Sequence, residues 1–110
     1  MIIAVAADGA QMSAKVEPVF GRADWYILVS VEDMQFEAIQ NPFRDEREKA
    51  GRKVAALLHE RGTQAVLCGD CGSKAKLALA EAGIRVGIGF EGPVKAAVEK
   101  FLSLDDTLLG

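Results

Sequence analysis

The sequence predicts an α/β domain built on a mixed five-stranded sheet flanked by about three helices. Two observations support this class. Residues 2–7 form an unbroken apolar run, which is typical of a strand buried on both faces at the centre of a sheet. From residue 50 onward, apolar runs alternate with segments of helical periodicity, and this spacing calls for parallel strands joined by right-handed crossovers.

The N-terminal half predicts a loop and a hairpin. Residues 8–22 show neither helical nor strand periodicity and contain Gly and Pro, so we expect a long ordered loop. Residues 25–31 and 34–39 are rich in apolar and aromatic side chains and flank a turn, which predicts an antiparallel hairpin whose second strand lies at an edge. Residues 44–49 form a mixed charge run, which predicts a solvated turn leading into a helix.

The C-terminal half predicts alternating helices and strands. The predicted helices cover 50–61, 75–82 and 94–102, and the predicted strands cover 64–68 and 84–88. We expect the first strand at the centre of the sheet, beside the strand that ends at Cys68. Residues 103–110 predict a flexible tail, which leaves one domain over residues 1–110.

The turn after the strand at 64–68 contains both cysteines, Cys68 and Cys71. We expect Gly69 and Gly72 to adopt positive φ and to allow a ligand to approach the backbone closely. Ser73 is a predicted helix N-cap, and the free N–H groups of the helix start stabilise a thiolate or a bound anion. Because ligands of open α/β sheets bind at the carboxyl ends of strands, we expect the first loop to face this turn.

The residue types in this region leave several interpretations open. Thiolates suit iron, copper or zinc, although one C-x-x-C pair supplies only two of the usual four ligands. Alternatively, Cys68 is a buried residue at a strand end and Cys71 a small turn residue. Asp8 and Gly9, at the end of the first strand, are candidate cofactor-binding residues, although the Asp8 carboxylate is expected to cap its loop rather than to act as a metal ligand. Lys74 opposes the helix dipole in its first turn, which indicates an anionic partner.

Charge and hydropathy exclude some classes of partner. The net charge of −3 and the lack of a basic stripe argue against nucleic acid binding. No apolar run reaches the length of a membrane span, and a strand that starts at Ile2 leaves no room for a leader peptide. We therefore expect a cytoplasmic protein that is a monomer or a weak homodimer.

Several short segments, in order along nearly the whole chain, resemble the dinitrogenase iron–molybdenum cofactor biosynthesis family. The matching segments are Ile3-Ala4-Val5-Ala6 with Asp8-Gly9, Phe20-Gly21-Arg22-Ala23, Asn41-Pro42, Gly62, Cys71-Gly72, Lys74-Ala75, Ala82-Gly83-Ile84 and the glycine-led last helix. The resemblance implies a ribonuclease-H-like fold with strand order 3-2-1-4-5 and an antiparallel second strand. It also implies non-catalytic, non-covalent or weakly ligated binding of a metal–sulfur cluster, for storage or for transfer from a donor or to an acceptor protein.

The resemblance also suggests roles for the Phe20-Gly21-Arg22 segment. Phe20 is expected to exclude water and Arg22 to contact an anionic cluster; alternatively, Phe20 belongs to the core and Arg22 pairs with a surface carboxylate. Many family members have His-Phe-Gly-Arg here, whereas this chain has Val19 in place of the histidine. Any ligation in this chain is therefore expected to depend on sulfur.

Three functions compete at this stage. The first is the metal–sulfur cluster carrier, with an iron–molybdenum or iron–sulfur type of cluster as cargo. The alternative is a thiol–disulfide oxidoreductase that uses Cys68 and Cys71, although Asp70 between them is expected to raise the pKa of both thiols. A two-metal nuclease ranks last, because only Asp8 and Asp70 lie at strand ends.

Overall fold

The computed structural model describes residues 1–46 and 50–104, and in it a five-stranded sheet lies between two helical layers. The strands and helices are β1 (Ile2–Ala7), β2 (Trp25–Ser30), β3 (Phe36–Gln40), α1 (Ala50–Glu60), β4 (Thr63–Leu67), α2 (Ser73–Glu81), β5 (Arg85–Gly87) and α3 (Val94–Leu104). A short 3-10 helix, Phe20–Arg22, lies in the loop between β1 and β2. The predicted order of elements is confirmed.

The strand order is β3-β2-β1-β4-β5, which places β1 at the centre of the sheet. Strand β2 is antiparallel to both of its neighbours, whereas β4 is parallel to β1 and to β5. The predicted strand order and the antiparallel second strand are therefore confirmed, and so is the edge position of β3. Because β1 and β4 are parallel, the loop that follows β1 and the turn that follows β4 leave the sheet at the same end.

The side chains of β1 alternate between two cores. Ala4 and Ala6 pack against the layer of α1 and α2, and Ile3, Val5 and Ala7 face the layer of α3. All five are fully buried. A strand covered on both faces needs apolar residues at every position, which explains the unbroken apolar run in the sequence.

Small residues allow α1 and α2 to pack closely near their N-terminal ends. A Cβ atom on Gly51 of α1 would lie 2.6 Å from the Cβ of Ala75 on α2. A larger side chain at either position would push the helices apart. The pair therefore brings the first turns of two helices together on one face of the sheet.

The ends of the predicted elements differ in part from the structure. Helix α3 includes Ser103 and Leu104, which belong to the predicted tail; residues 105–110 of that tail lie outside the described residues. In the predicted charged turn, residues 44 and 45 are exposed, and 47–49 lie outside the described residues.

Over the described parts of the chain, no helix has the length and apolar character needed to cross a membrane.

Candidate functional site

Backbone hydrogen bonds join the loop after β1 to the turn after β4. The Asp70 N–H donates to the Pro18 carbonyl (2.6 Å) and the Gly69 N–H donates to the Glu17 carbonyl (3.1 Å). In return, the Phe20 N–H donates to the Asp70 carbonyl (3.0 Å). The prediction that this loop faces the cysteine turn is confirmed, because the two segments pair like short strands.

Gly69 is required by a neighbouring backbone rather than by a ligand. A Cβ atom here would lie 2.7 Å from both the Cα and the carbonyl oxygen of Pro18. The prediction of positive φ at Gly69 and Gly72 is wrong: neither is among the positive-φ glycines, and φ of Gly72 is −61°. The glycine at 69 serves the close approach of the loop, and Gly72 has open space around it.

The start of α2 differs from the prediction. Gly72 is the N-cap and makes no side-chain capping bond, and Ser73 is already the first helical residue, so the prediction of Ser73 as N-cap is wrong. The first turn contains no acidic residue and includes Lys74. The partial positive charge of the helix start is therefore reinforced by a side chain rather than compensated by one.

A cavity of about 360 Å³ opens where the 3-10 helix and the first turns of α1 and α2 meet. Its described lining residues are Val19, Gly21, Arg22, Glu46, Ala50, Gly51, Arg52, Gly72, Ser73, Lys74 and Ala75. We call this space the cationic cavity, because its described lining contains three cationic side chains, Arg22, Arg52 and Lys74, and one carboxylate, that of Glu46. The chain has a net charge of −3, so this positive region runs against the overall charge.

Some of the predicted site residues line the cationic cavity and others do not. Those that do are Gly21, Arg22, Gly72, Ser73 and Lys74. Val19, which directly precedes the Phe20-Gly21-Arg22 segment, is 47% exposed and also lines the cavity.

Sequence reasoning missed Arg52, which lies in the first turn of α1. A signal for it existed: the first turns of α1 and α2 contain no acidic residue, and each contains two basic ones, among them Arg52 and Lys74. This is the reverse of the usual charge pattern of helix starts.

Asp8, Gly9 and Phe20 lie away from the lining. The Asp8 carboxylate accepts the Lys15 N–H at 2.9 Å, so its predicted loop-capping role is confirmed. Gly9 packs against the same loop, since a Cβ there would lie 3.3 Å from the Cβ of Ala14. Phe20 is fully buried in the core, with its ring 5.5 Å from that of Tyr26.

The two cysteines form a buried pair beneath α1 and α2. Cys68 is fully buried, Cys71 is 4% exposed, and neither residue lines the cationic cavity. The Cys68 sulfur also lies 3.8 Å from the Gly87 carbonyl oxygen. We call Cys68 and Cys71 the thiol pair; both belong to the core cluster that includes Tyr26.

A hydrogen bond within the thiol pair separates the acidities of the two sulfurs. The neighbouring Cys68 thiol lowers the pKa of Cys71, because a thiolate at Cys71 can accept a hydrogen bond from it, and the charge of Lys76 acts in the same direction. The same bond, together with burial, raises the pKa of Cys68. Asp70 raises the pKa of both thiols, as predicted, but the net pKa of Cys71 is lowered, because the interaction with Cys68 outweighs the effect of Asp70.

Metal ligands of the protein are few in this region. Across residues 1–46 and 50–104, no group of three or more His, Cys, Asp or Glu side chains could hold a metal ion. The thiol pair contains two sulfurs, fewer than the four ligands of a closed tetrahedral metal site.

The sheet order, and a cationic cavity at the carboxyl ends of β1 and β4, define a small α/β domain with a candidate ligand site. The chain belongs to the dinitrogenase iron–molybdenum cofactor family, which matches residues 1–104. The family is one of cofactor-associated accessory domains.

Solved structures agree with this assignment. The apo form of the orange protein from Desulfovibrio gigas is 36% identical, with a TM-score of 0.90, over 93% of this chain and 87% of that one. The NMR structure of a Thermotoga protein of the DUF35 family is 26% identical, with a TM-score of 0.81, over 93% and 87%. A Methanocaldococcus jannaschii structure at 14% identity, with a TM-score of 0.67 over 96% and 90%, supports the fold alone. No curated protein matches the chain.

Proposed function

We propose that this protein is a non-catalytic carrier that binds a preassembled, anionic metal–sulfur cluster of the iron–molybdenum or iron–sulfur type in the cationic cavity. The observation that supports this function is the set of three cationic side chains, Arg22, Arg52 and Lys74, around a cavity at the start of α2. A bound anion there is stabilised by the side-chain charges and by the helix dipole together.

The chemistry of the lining favours cargo that brings its own metal ligands. None of the described lining residues is Cys, His or Met, which are the usual donors to soft metals. A volume of about 360 Å³ lies within the range of small-molecule sites. The cluster is therefore held mainly by charge and shape, so it can be released without breaking a metal–protein bond.

Ligation by Cys68 and Cys71 stays a prediction. Cys71 directly precedes Gly72 of the cavity wall, and its lowered pKa favours the thiolate that a metal requires. Its side chain, however, points into the core, where it is 4% exposed. Binding by charge predicts that removing the cations abolishes cluster binding, whereas ligation by thiols predicts that removing the cysteines does. One experiment can compare the two kinds of variant.

The test is anaerobic reconstitution with ferrous iron, molybdate and sulfide, followed by gel filtration, visible absorption and metal and sulfide analysis. The charge variant is Arg22→Gln/Arg52→Gln/Lys74→Gln. Its matched control, Lys15→Gln/Lys95→Gln/Lys100→Gln, removes three exposed cations that do not line the cavity. A third variant, Cys68→Ser/Cys71→Ser, tests the thiols.

We expect wild type, control and thiol variant to retain a stoichiometric chromophore that the charge variant loses. Loss in the thiol variant alone would instead support ligation by the thiol pair. A wild type that stays colourless and free of metal after reconstitution would refute the carrier function.

The carrier function implies an exchange partner and a compartment. We propose a donor or acceptor protein of the cluster as partner, a cytoplasmic location, and a monomer or weak homodimer as the functional form. The family assignment supports the association with a metal cofactor.

A second candidate function is thiol–disulfide exchange, which the lowered pKa of Cys71 favours. The burial of both thiols opposes it, because the attacking sulfur must reach a disulfide on another molecule. Reduction of a test disulfide by the wild type, abolished in Cys71→Ser, would support this candidate.

A further inference from the structure

Asn41 is a buried polar residue directly after β3 that contacts the wall of the cationic cavity from the core side. It is 6% exposed, and Thr63 is the other buried polar residue in the described part of the chain. Burying an amide side chain is unfavourable unless its donors and acceptors are paired. The partners of Asn41 therefore show what the residue does.

The side-chain amide of Asn41 donates to the segment that contains Arg22. Its Nδ2 lies 2.9 Å from the Ala23 carbonyl oxygen and 3.3 Å from that of Gly21. These two carbonyls belong to the residues on either side of Arg22. One buried NH₂ group therefore fixes the backbone before and after the cavity arginine.

Tyr26 extends this connection to the next peptide. Its hydroxyl donates to the Phe20 carbonyl at 2.5 Å and lies 3.3 Å from Asn41 Nδ2. Three carbonyls around Arg22 thus point into the core, and the exposed side chain of Arg22 lines the cavity. The direction of the arginine follows from these inward bonds.

The other atoms of Asn41 hold neighbouring segments of the chain. Its Oδ1 accepts the Phe43 N–H at 2.9 Å, at the start of the turn that leads to Glu46 on the cavity lining. Its own N–H donates to the Asp24 carbonyl at 2.9 Å. A single residue therefore ties both the segment of Arg22 and the turn before Glu46 to the sheet.

We infer that Asn41, assisted by Tyr26, is the positioning residue for Arg22 and so sets the affinity of the cationic cavity for its anion. This inference rests on the proposed function for the identity of the anion. The orientation of the backbone of residues 21–23 by Asn41 does not depend on any ligand.

The test compares Asn41→Ala, Tyr26→Phe and Val29→Ala with the wild type. Tyr26→Phe removes only the hydroxyl, which keeps the inference testable if Asn41→Ala folds poorly. Val29 is fully buried in the opposite core and controls for lost stability. One measurement is retention of the chromophore formed by iron, molybdate and sulfide; the other is N–H residual dipolar couplings of Gly21, Arg22 and Ala23 without ligand.

We expect Asn41→Ala to weaken retention by about tenfold and Tyr26→Phe by less, with altered couplings at 21–23, while Val29→Ala changes neither. In the Arg22→Gln background, Asn41→Ala should add little further loss, because its effect passes through Arg22. Unchanged couplings in both Asn41→Ala and Tyr26→Phe, or equal loss of retention in Val29→Ala, would overturn the inference. A wild type without chromophore, combined with altered couplings in Asn41→Ala, would refute the carrier function and leave the positioning of Arg22 supported.

Discussion

The cationic cavity and the thiol pair lie at the same end of the sheet, but they differ in almost every physical respect. The cavity is open and its described lining includes three cations on three different elements, whereas the thiols are buried in the core and free of a disulfide. Only the cavity can admit a ligand without movement of the chain. Two neighbouring regions can therefore look equally functional in a sequence and differ completely in access.

The backbone hydrogen bonds between the first loop and the cysteine turn support both regions. Disrupting them should therefore have the largest effect on the stability of the fold. We expect Gly69→Ala to destabilise the fold by about 1–3 kcal/mol, because its Cβ would lie 2.7 Å from the Pro18 backbone. A Cβ at Gly72, three residues along, would have nothing within 4 Å, so Gly72→Ala should cost only the preference for Gly over Ala at an N-cap, about 0.5–1 kcal/mol. Urea denaturation of both variants measures the difference, and equal midpoints would contradict the close approach.

The charge of the cavity can be tested with two adjacent residues of α1. Arg52 lines the cavity, whereas the Lys53 ammonium pairs with Glu46 at 2.6 Å and is not in the lining. We expect Arg52→Gln to weaken retention of the reconstituted cluster by roughly tenfold, since a charge-assisted contact contributes about 1.5 kcal/mol. Lys53→Gln removes the same charge and should have a clearly smaller effect. Similar losses in both variants would show that net charge, not the cavity, controls binding.

These differences show which parts of the molecule its sequence could predict. The central β1 and the pairing of loop and turn follow from apolar runs and crossover rules, which depend on averages over many residues, whereas the full strand order was implied by the family resemblance. The inward direction of Cys71 depends instead on how one turn packs beneath two helices. The basic start of α1 is visible in the sequence, but the position of Arg52 beside the start of α2 is not, because it depends on the single tertiary contact between Gly51 and Ala75.

The asymmetry of the thiol pair predicts a difference between two substitutions at Cys68. The Cys68 thiol lowers the pKa of Cys71 by donating a hydrogen bond. Cys68→Ala removes the donor, so the pKa of Cys71 should rise; Cys68→Ser keeps a hydroxyl donor and should preserve most of the lowering. Thiolate absorbance at 240 nm, followed against pH, measures both.

The same bond affects stability in a defined pH range. A thiol whose pKa is lower in the folded state stabilises the fold above the unfolded pKa, and this contribution is lost as pH falls through the folded pKa. Cys68→Ala should therefore flatten this part of the stability profile, and Cys68→Ser should do so less. An unchanged Cys71 titration in Cys68→Ala would show that Lys76 alone controls the thiolate.

The smallest expected effect is tighter, not weaker, retention of the cluster when the carboxylate of the cavity is removed. It distinguishes the contribution of charge from that of cavity shape. Glu46 contributes the one carboxylate among the described lining residues, and this charge opposes an anionic ligand. Glu46→Gln keeps the shape, removes that repulsion and frees the Lys53 ammonium, so retention should tighten roughly twofold to threefold. Glu99→Gln on α3 makes the same charge change on an exposed residue outside the lining and should leave retention unchanged. Weaker retention in Glu46→Gln would mean that the carboxylate contacts the cargo directly, and the cavity would then have to be described as a mixed site that coordinates metal rather than one that attracts an anion.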